Sequence, residues 1–92
     1  MAPSSAGIWF VYILYCGDGS FYTGITKDVS RRCRQHNEGK ASRYTRSRRP
    51  TRVVFQEEHP DQGSALRREA AIKTLTRRQK EMLIRQARRK AS

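Results

Sequence analysis

The chain has 92 residues, with 20 Lys and Arg against 8 Asp and Glu, for a formal net charge of +12. Such a length makes one small domain with a limited core, and such an excess of positive charge suits a polyanion, nucleic acid ahead of an anionic membrane surface. The longest apolar run, Ile8 to Tyr15, is too short to cross a bilayer and lacks the basic leader of a signal peptide, and Cys16 and Cys33 fit neither a CxxC nor a Cys/His zinc spacing, so free, mostly buried thiols and a cytoplasmic location are expected.

Residues 1–7 are small and polar to neutral and read as a disordered leader. A single domain should fill 8–87, and 88–92 should be a basic tail. Trp9 to Cys16 and Phe21 to Thr26 are rich in aromatic and β-branched residues and predict two strands. Gly17-Asp18-Gly19 between them predicts a three-residue hairpin turn with Gly19 in the left-handed position. That turn length sets Cys16 opposite Ser20, Leu14 opposite Tyr22 and Tyr12 opposite Gly24. Tyr12 and Tyr22 then share one sheet face as diagonal neighbours, and Gly24 leaves room beside the Tyr12 ring. A four-residue turn would separate the two tyrosines.

Asp28 predicts the start of a helix that ends near Asn37 and Gly39. Val29 and Cys33 mark its inward stripe. Arg32 and His36 are four apart and share a face. Two phenols, a guanidinium and an imidazole could thus converge, groups that exchange protons and grip phosphate oxygens. Residues 38–50 read as a basic loop holding Lys40, Arg43, Arg46, Arg48 and Arg49 with one aromatic, Tyr44. That composition suits phosphate contacts plus stacking on an unpaired base, as does Lys27 nearer the hairpin.

Arg52 to Glu58 predicts a third strand, with Val53 and Phe55 on one face and His59-Pro60-Asp61 ending it. His59 reads as a surface loop residue. Ser64 is the expected cap of a helix from Ala65 to about Leu75, on which Glu69 falls in the apolar sector with Ala65, Leu66 and Ile72. A carboxylate there is either a structural ion-pair residue, with Arg32 or Lys73, or a metal ligand. Thr76 and Gln79 form a capping box for a last helix to about Gln86, with Met82 and Leu83 inward. The order β-β-α-β-α-α implies an α+β fold, a three-stranded antiparallel sheet flanked by helices.

Val11-Tyr12-Ile13 and Tyr22-Thr23-Gly24 resemble the paired signature of the GIY-YIG nuclease superfamily. Tyr12, Tyr22 and Arg32 stand ten residues apart, and Glu69 follows Arg32 by 37 positions, as in that superfamily. The likeness runs from Trp9 to Gln86 and is strongest to small stand-alone bacterial proteins of the YhbQ type. The nuclease domains of UvrC-type excinucleases and Slx1-type endonucleases look like relatives. Val11 replaces the first glycine, Thr23 an isoleucine, and His36 stands where excinucleases carry a tyrosine.

The resemblance implies a phosphodiesterase acting on DNA, with Tyr12, Tyr22, Arg32, His36 and Glu69 as catalytic residues. It turns Glu69 from a structural residue into the ligand of a single divalent ion, magnesium or manganese. Arg32 would bind a non-bridging oxygen, and Tyr12 would orient or deprotonate water with Tyr22 and His36 assisting. A free phenol has a pKa of about 10, so base catalysis by Tyr12 requires Arg32, Lys27 or the metal to lower it. The rival reading is a DNA- or RNA-binding module that keeps the scaffold without catalysis.

Overall fold

The computed structural model describes residues 7–91. Residues 1–6, and with them nearly all of the expected leader, lie outside the described residues, as does Ser92. The elements run β1 (Trp9–Tyr15), β2 (Phe21–Thr26), α1 (Val29–Asn37), α2 (Arg43–Arg46), β3 (Arg52–His59), α3 (Gln62–Lys73) and α4 (Arg77–Ala91). The strands form the expected antiparallel sheet, in the order β2-β1-β3.

β1 is central because its sequence, WFVYILY, offers no polar position to leave in water. Val11 and Ile13 on one face join Phe55, Ala65, Ile72 and Ile84 in the apolar core under α3 and α4. The other face carries Tyr12 and Leu14, also buried, and α1 lies over it. The turn has three residues, as its glycines predict: the Cys16 N–H donates to the Ser20 carbonyl at 2.9 Å, and Gly19 takes φ +86°. Tyr12 consequently pairs with Gly24 and Leu14 with Tyr22. Asp28 caps α1 by accepting from the Arg31 N–H at 3.0 Å, and Gly39 closes it at φ +77°. Both thiols are free, with Cys16 buried and Cys33 half-buried.

Several expectations are corrected. Val53 and Phe55 do not share a face. Ile13 pairs with Phe55 and Leu14 with Val53, so Val54 is an extra residue in a bulge that reverses the alternation. His59 is no loose loop residue, since β3 continues through it and its ring bonds Ser64 Oγ and Glu57 Oε1, each at 2.8 Å. Burial raises the Glu57 carboxyl, yet its bonds to His59 and Arg68 outweigh that and hold it below the usual range. Asp61, not Ser64, caps α3, because its carboxylate takes the Ser64 N–H at 2.8 Å while the Ser64 hydroxyl is engaged by His59.

The capping box forms as predicted, with Thr76 N–H to Gln79 Oε1 at 2.9 Å and Gln79 N–H to Thr76 Oγ1 at 3.2 Å. Its helix runs to Ala91, beyond Gln86, so the basic tail is helical that far. Ile84 is inward with Leu83 and Ala87, whereas Met82 is half exposed, because the buried stripe lies one step further round the helix.

Asn37 joins α1 to the start of β3. Its side-chain oxygen accepts from the Thr51 N–H at 2.7 Å and hydroxyl at 3.1 Å, and its amide donates to the Thr51 carbonyl at 3.0 Å. Thr51 is buried, so its backbone has no ready substitute. Asn37→Ala should lower stability by about 1–3 kcal/mol, the cost of unpaired buried polar groups, as a loss of melting temperature with an unchanged far-ultraviolet circular dichroism spectrum.

Candidate active site

The face of the sheet opposite the apolar core holds a buried polar chain. Tyr12 points from β1 toward α1, and its hydroxyl lies 2.9 Å from His36 Nε2. His36 Nδ1 lies 2.7 Å from the Thr45 hydroxyl. All three residues are at most 1 % exposed. Thr45 belongs to α2, a single turn capped by Ser42, whose Oγ accepts the Thr45 N–H at 3.1 Å. The segment expected as a basic loop thus contains a helix that completes the site.

The chain has a direction. The Tyr12 proton needs an acceptor, and His36 Nε2 is the one within reach among the described residues. Nε2 then carries the lone pair, Nδ1 carries the hydrogen, and Thr45 Oγ1 accepts it. The Thr45 hydroxyl in turn reaches the Ser42 carbonyl at 3.4 Å. Burial drives the His36 pKa down to about 4, and the positive Arg32 adds to the shift, so the imidazole is neutral at pH 7. Burial also pushes the Tyr12 phenol up to about 12, although the Arg32 guanidinium beside it pulls the other way. The condition set by the sequence for Tyr12 as a free base, a lowered pKa, is therefore not met by Arg32.

Gly24 makes the position of Tyr12 possible. A Cβ there would stand 2.6 Å from the Tyr12 hydroxyl oxygen and 2.8 Å from Cζ, so any side chain would push the ring off His36. Tyr22 lies on the same face, half-buried, its ring 6.5 Å from Tyr12, 5.0 Å from His36 and 5.9 Å from Tyr44. Arg32, one turn before His36, holds Gln35 Oε1 at 3.0 Å. Glu69 on α3 is close enough to raise the Tyr12 pKa; its side chain is 17 % exposed and is paired with Lys73 at 3.2 Å. The structure thus gathers Tyr12, Tyr22, Arg32 and His36, with Glu69 at electrostatic range. The GIY-YIG catalytic domain model matches residues 8–82.

The chain belongs to the GIY-YIG family. It is similar to UPF0213 protein SERP0126 of Staphylococcus epidermidis, 52 % identical over 75 residues that cover 82 % of this chain and 92 % of that protein. UPF0213 protein SAV0488 of Staphylococcus aureus is 49 % identical over 77 residues, covering 84 % and 94 %. Among solved structures, the UPF0213 protein BH0048 of Bacillus halodurans superposes with a TM-score of 0.55 at 48 % identity, covering 84 % of this chain and 82 % of that one. The protein EF2693 of E. faecalis gives 0.59 at 38 %, covering 86 % and 84 %. GIY-YIG domains are nuclease domains that generally use a divalent metal.

In this GIY-YIG domain no group of three His, Cys, Asp or Glu side chains forms a metal cage among the described residues. A lone carboxylate still fits magnesium, which keeps most of its waters and is commonly completed by substrate phosphates. Among the described residues no helix is long and apolar enough to cross a membrane.

The basic residues divide into two sets. Arg48 bonds Asp18 at 2.9 Å and the Tyr44 carbonyl at 2.9 Å, and it lies 3.9 Å from the centre of the Tyr44 ring. Arg49 donates to the carbonyls of Arg46 and Asn37. Both pin 38–50 to the hairpin and α1, where phosphate contacts were expected. Tyr44 is likewise wedged between Tyr22 and Arg48. Arg43 and Arg46 are exposed on α2, and Lys40 pairs weakly with Glu38 at 3.7 Å. Lys27 lies over the Trp9 ring at 5.4 Å. The sequence marks Thr45 and Ser42 only faintly, by a Ser three residues before a Thr in a basic run.

Because the folded state depresses the His36 pKa, its contribution to stability is complete above the unfolded value of about 6.5. It fades as pH falls toward about 4, where the folded protein also binds the proton. The loss across that window should approach about 3 kcal/mol. Urea titrations from pH 7 to pH 4 should show it in wild type and much less of it in His36→Gln.

Proposed function

We propose that this GIY-YIG domain is a metal-dependent endonuclease that hydrolyses DNA phosphodiester bonds, on branched, damaged or partly single-stranded DNA. The observation that supports this most is the Tyr12 hydroxyl held 2.9 Å from a buried, neutral His36. A phenol with a pKa of about 12 is a poor free base at neutral pH, yet it needs no prior ionisation when a proton acceptor stands behind it. The attacking water gives its proton to Tyr12 Oη as the phenol's own proton passes to His36 Nε2. The water oxygen then bonds phosphorus and the bond to the leaving oxygen breaks. Thr45 holds the far side of the ring in place, and the anionic phosphate bound at Arg32 offsets the cost that burial and Arg32 set on the imidazolium that forms. Arg32 grips a non-bridging phosphate oxygen, and Tyr22 confines His36 through its ring edge. Glu69 would hold the divalent ion, which would supply neutralisation of the charge that develops at the phosphate.

One observation favours a second reading, a DNA- or RNA-binding module on the nuclease scaffold: the Glu69 carboxylate is already paired with Lys73. Single-turnover cleavage of branched, nicked and linear DNAs with magnesium, manganese or chelator separates the two. Tyr12→Phe should slow cleavage by roughly 10²–10⁴-fold, the usual worth of acid–base catalysis, with little change in affinity. Cleavage undiminished in that variant would rule out the relay. Glu69→Ala should lose magnesium-dependent cleavage while keeping its melting temperature and DNA affinity; unfolding would mark Glu69 as structural. Tight, salt-sensitive binding with no cleavage of any substrate would favour the binding module.

A further inference from the structure

A second site adjoins the first on the far side of Arg32. An open cleft of about 300 Å³ lies between the end of β2 and the outer face of α1. Its polar wall is Lys27, Arg31, Arg32 and Gln35, and its apolar wall is Trp9 and Ile25. Asp28 also borders the cleft, but its carboxylate is engaged by the Arg31 N–H at the start of α1. Lys27 and Arg31 are exposed, and neither is in an ion pair with an acidic side chain among the described residues. Three cations thus face one capping carboxylate, and Lys27 Nζ lies 5.4 Å over the Trp9 ring, so a phosphate that draws Lys27 toward itself frees that ring for a flat partner. A small apolar ligand would leave the cations unused, and inorganic phosphate alone would leave Trp9 and Ile25 uncovered. A nucleotide, with an anionic phosphate and a flat base on one sugar, fits both walls.

We infer that this cleft binds the nucleotide next to the scissile phosphate, with its phosphate on Lys27 and Arg31 and its sugar and base against Trp9 and Ile25. The inference rests on the nuclease reading only for the word scissile, because Arg32 borders both the cleft and the Tyr12 site. The cleft would fix which bond of the strand lies over Tyr12, so that register along the backbone is set before chemistry.

Trp9 is the only tryptophan in the chain, so its fluorescence reports the cleft directly. The probe is a short single-stranded oligodeoxythymidine, titrated in magnesium-free buffer at several salt concentrations, with anisotropy of a labelled copy as an independent measure of binding. Wild type should show saturable Trp9 quenching. Lys27→Ala and Arg31→Ala should each lower the slope of log affinity against log salt by about 0.7, the share of one single-strand phosphate contact. Both side chains are on the surface, so folding should survive, and an unchanged circular dichroism melt verifies it. Binding by anisotropy without Trp9 quenching, slopes unaltered in both variants, or no binding at all would each overturn the inference. Because the readout needs no cleavage, a wild type that quenches here but cuts none of the branched, nicked or linear DNAs in magnesium or manganese would end the nuclease reading and leave the nucleotide site standing.

Discussion

The hydrogen-bond chain from Tyr12 through His36 to Thr45 is the constraint on which the rest of the site depends. It is buried from end to end and joins three elements, β1, α1 and α2. A buried polar group without a partner is costly, so each member requires the other two, and α2 must stay docked for His36 to keep its tautomer. The same burial that makes the chain structurally demanding keeps the imidazole neutral. Structural and catalytic roles therefore share one cause, the removal of these groups from water.

The hairpin supplies the geometry that the chain needs. Three residues in the turn bring Gly24 opposite Tyr12, and only a missing Cβ gives the phenol room to reach α1. The turn is itself fastened to the segment after α2: Gly17 N–H donates to the Arg48 carbonyl at 2.7 Å, and a Cβ on Gly17 would stand 2.7 Å from the Arg49 carbonyl oxygen. Arg48 adds its ion pair to Asp18 across the same junction. The segment 38–50 is thus anchored near its C-terminal end, by Arg48 on the hairpin and by Arg49 against α1.

This arrangement changes how the basic charge is understood. A net charge of +12 suits a polyanion, but charge alone does not say which cations are available. Arg48 and Arg49 act as braces, satisfied by carbonyls, a carboxylate and an aromatic face. Arg43 and Arg46 on α2, and Lys27 and Arg31 beside the Trp9 cleft, remain exposed.

The sequence by itself determined the sheet, the turn and the tyrosine face, because these follow from short-range rules. Alternation of side chains, the φ demanded of Gly19 and the cap offered by Asp28 act within a few residues, and the spacing of Tyr12, Tyr22, Arg32 and Glu69 marked the family. It did not reveal the bulge at Val54, the cap at Asp61, the burial of Ile84 in place of Met82, or the work of Arg48 and Arg49. The cap at Asp61 turned on a local competition, His59 taking the Ser64 hydroxyl, and the others were decided by partners from distant parts of the chain. Only the tertiary structure brought Thr45 to His36, nine positions away and on another helix. Desolvation, which holds His36 neutral and Tyr12 protonated, depends on how completely neighbouring elements exclude water, and no local pattern of residues encodes that.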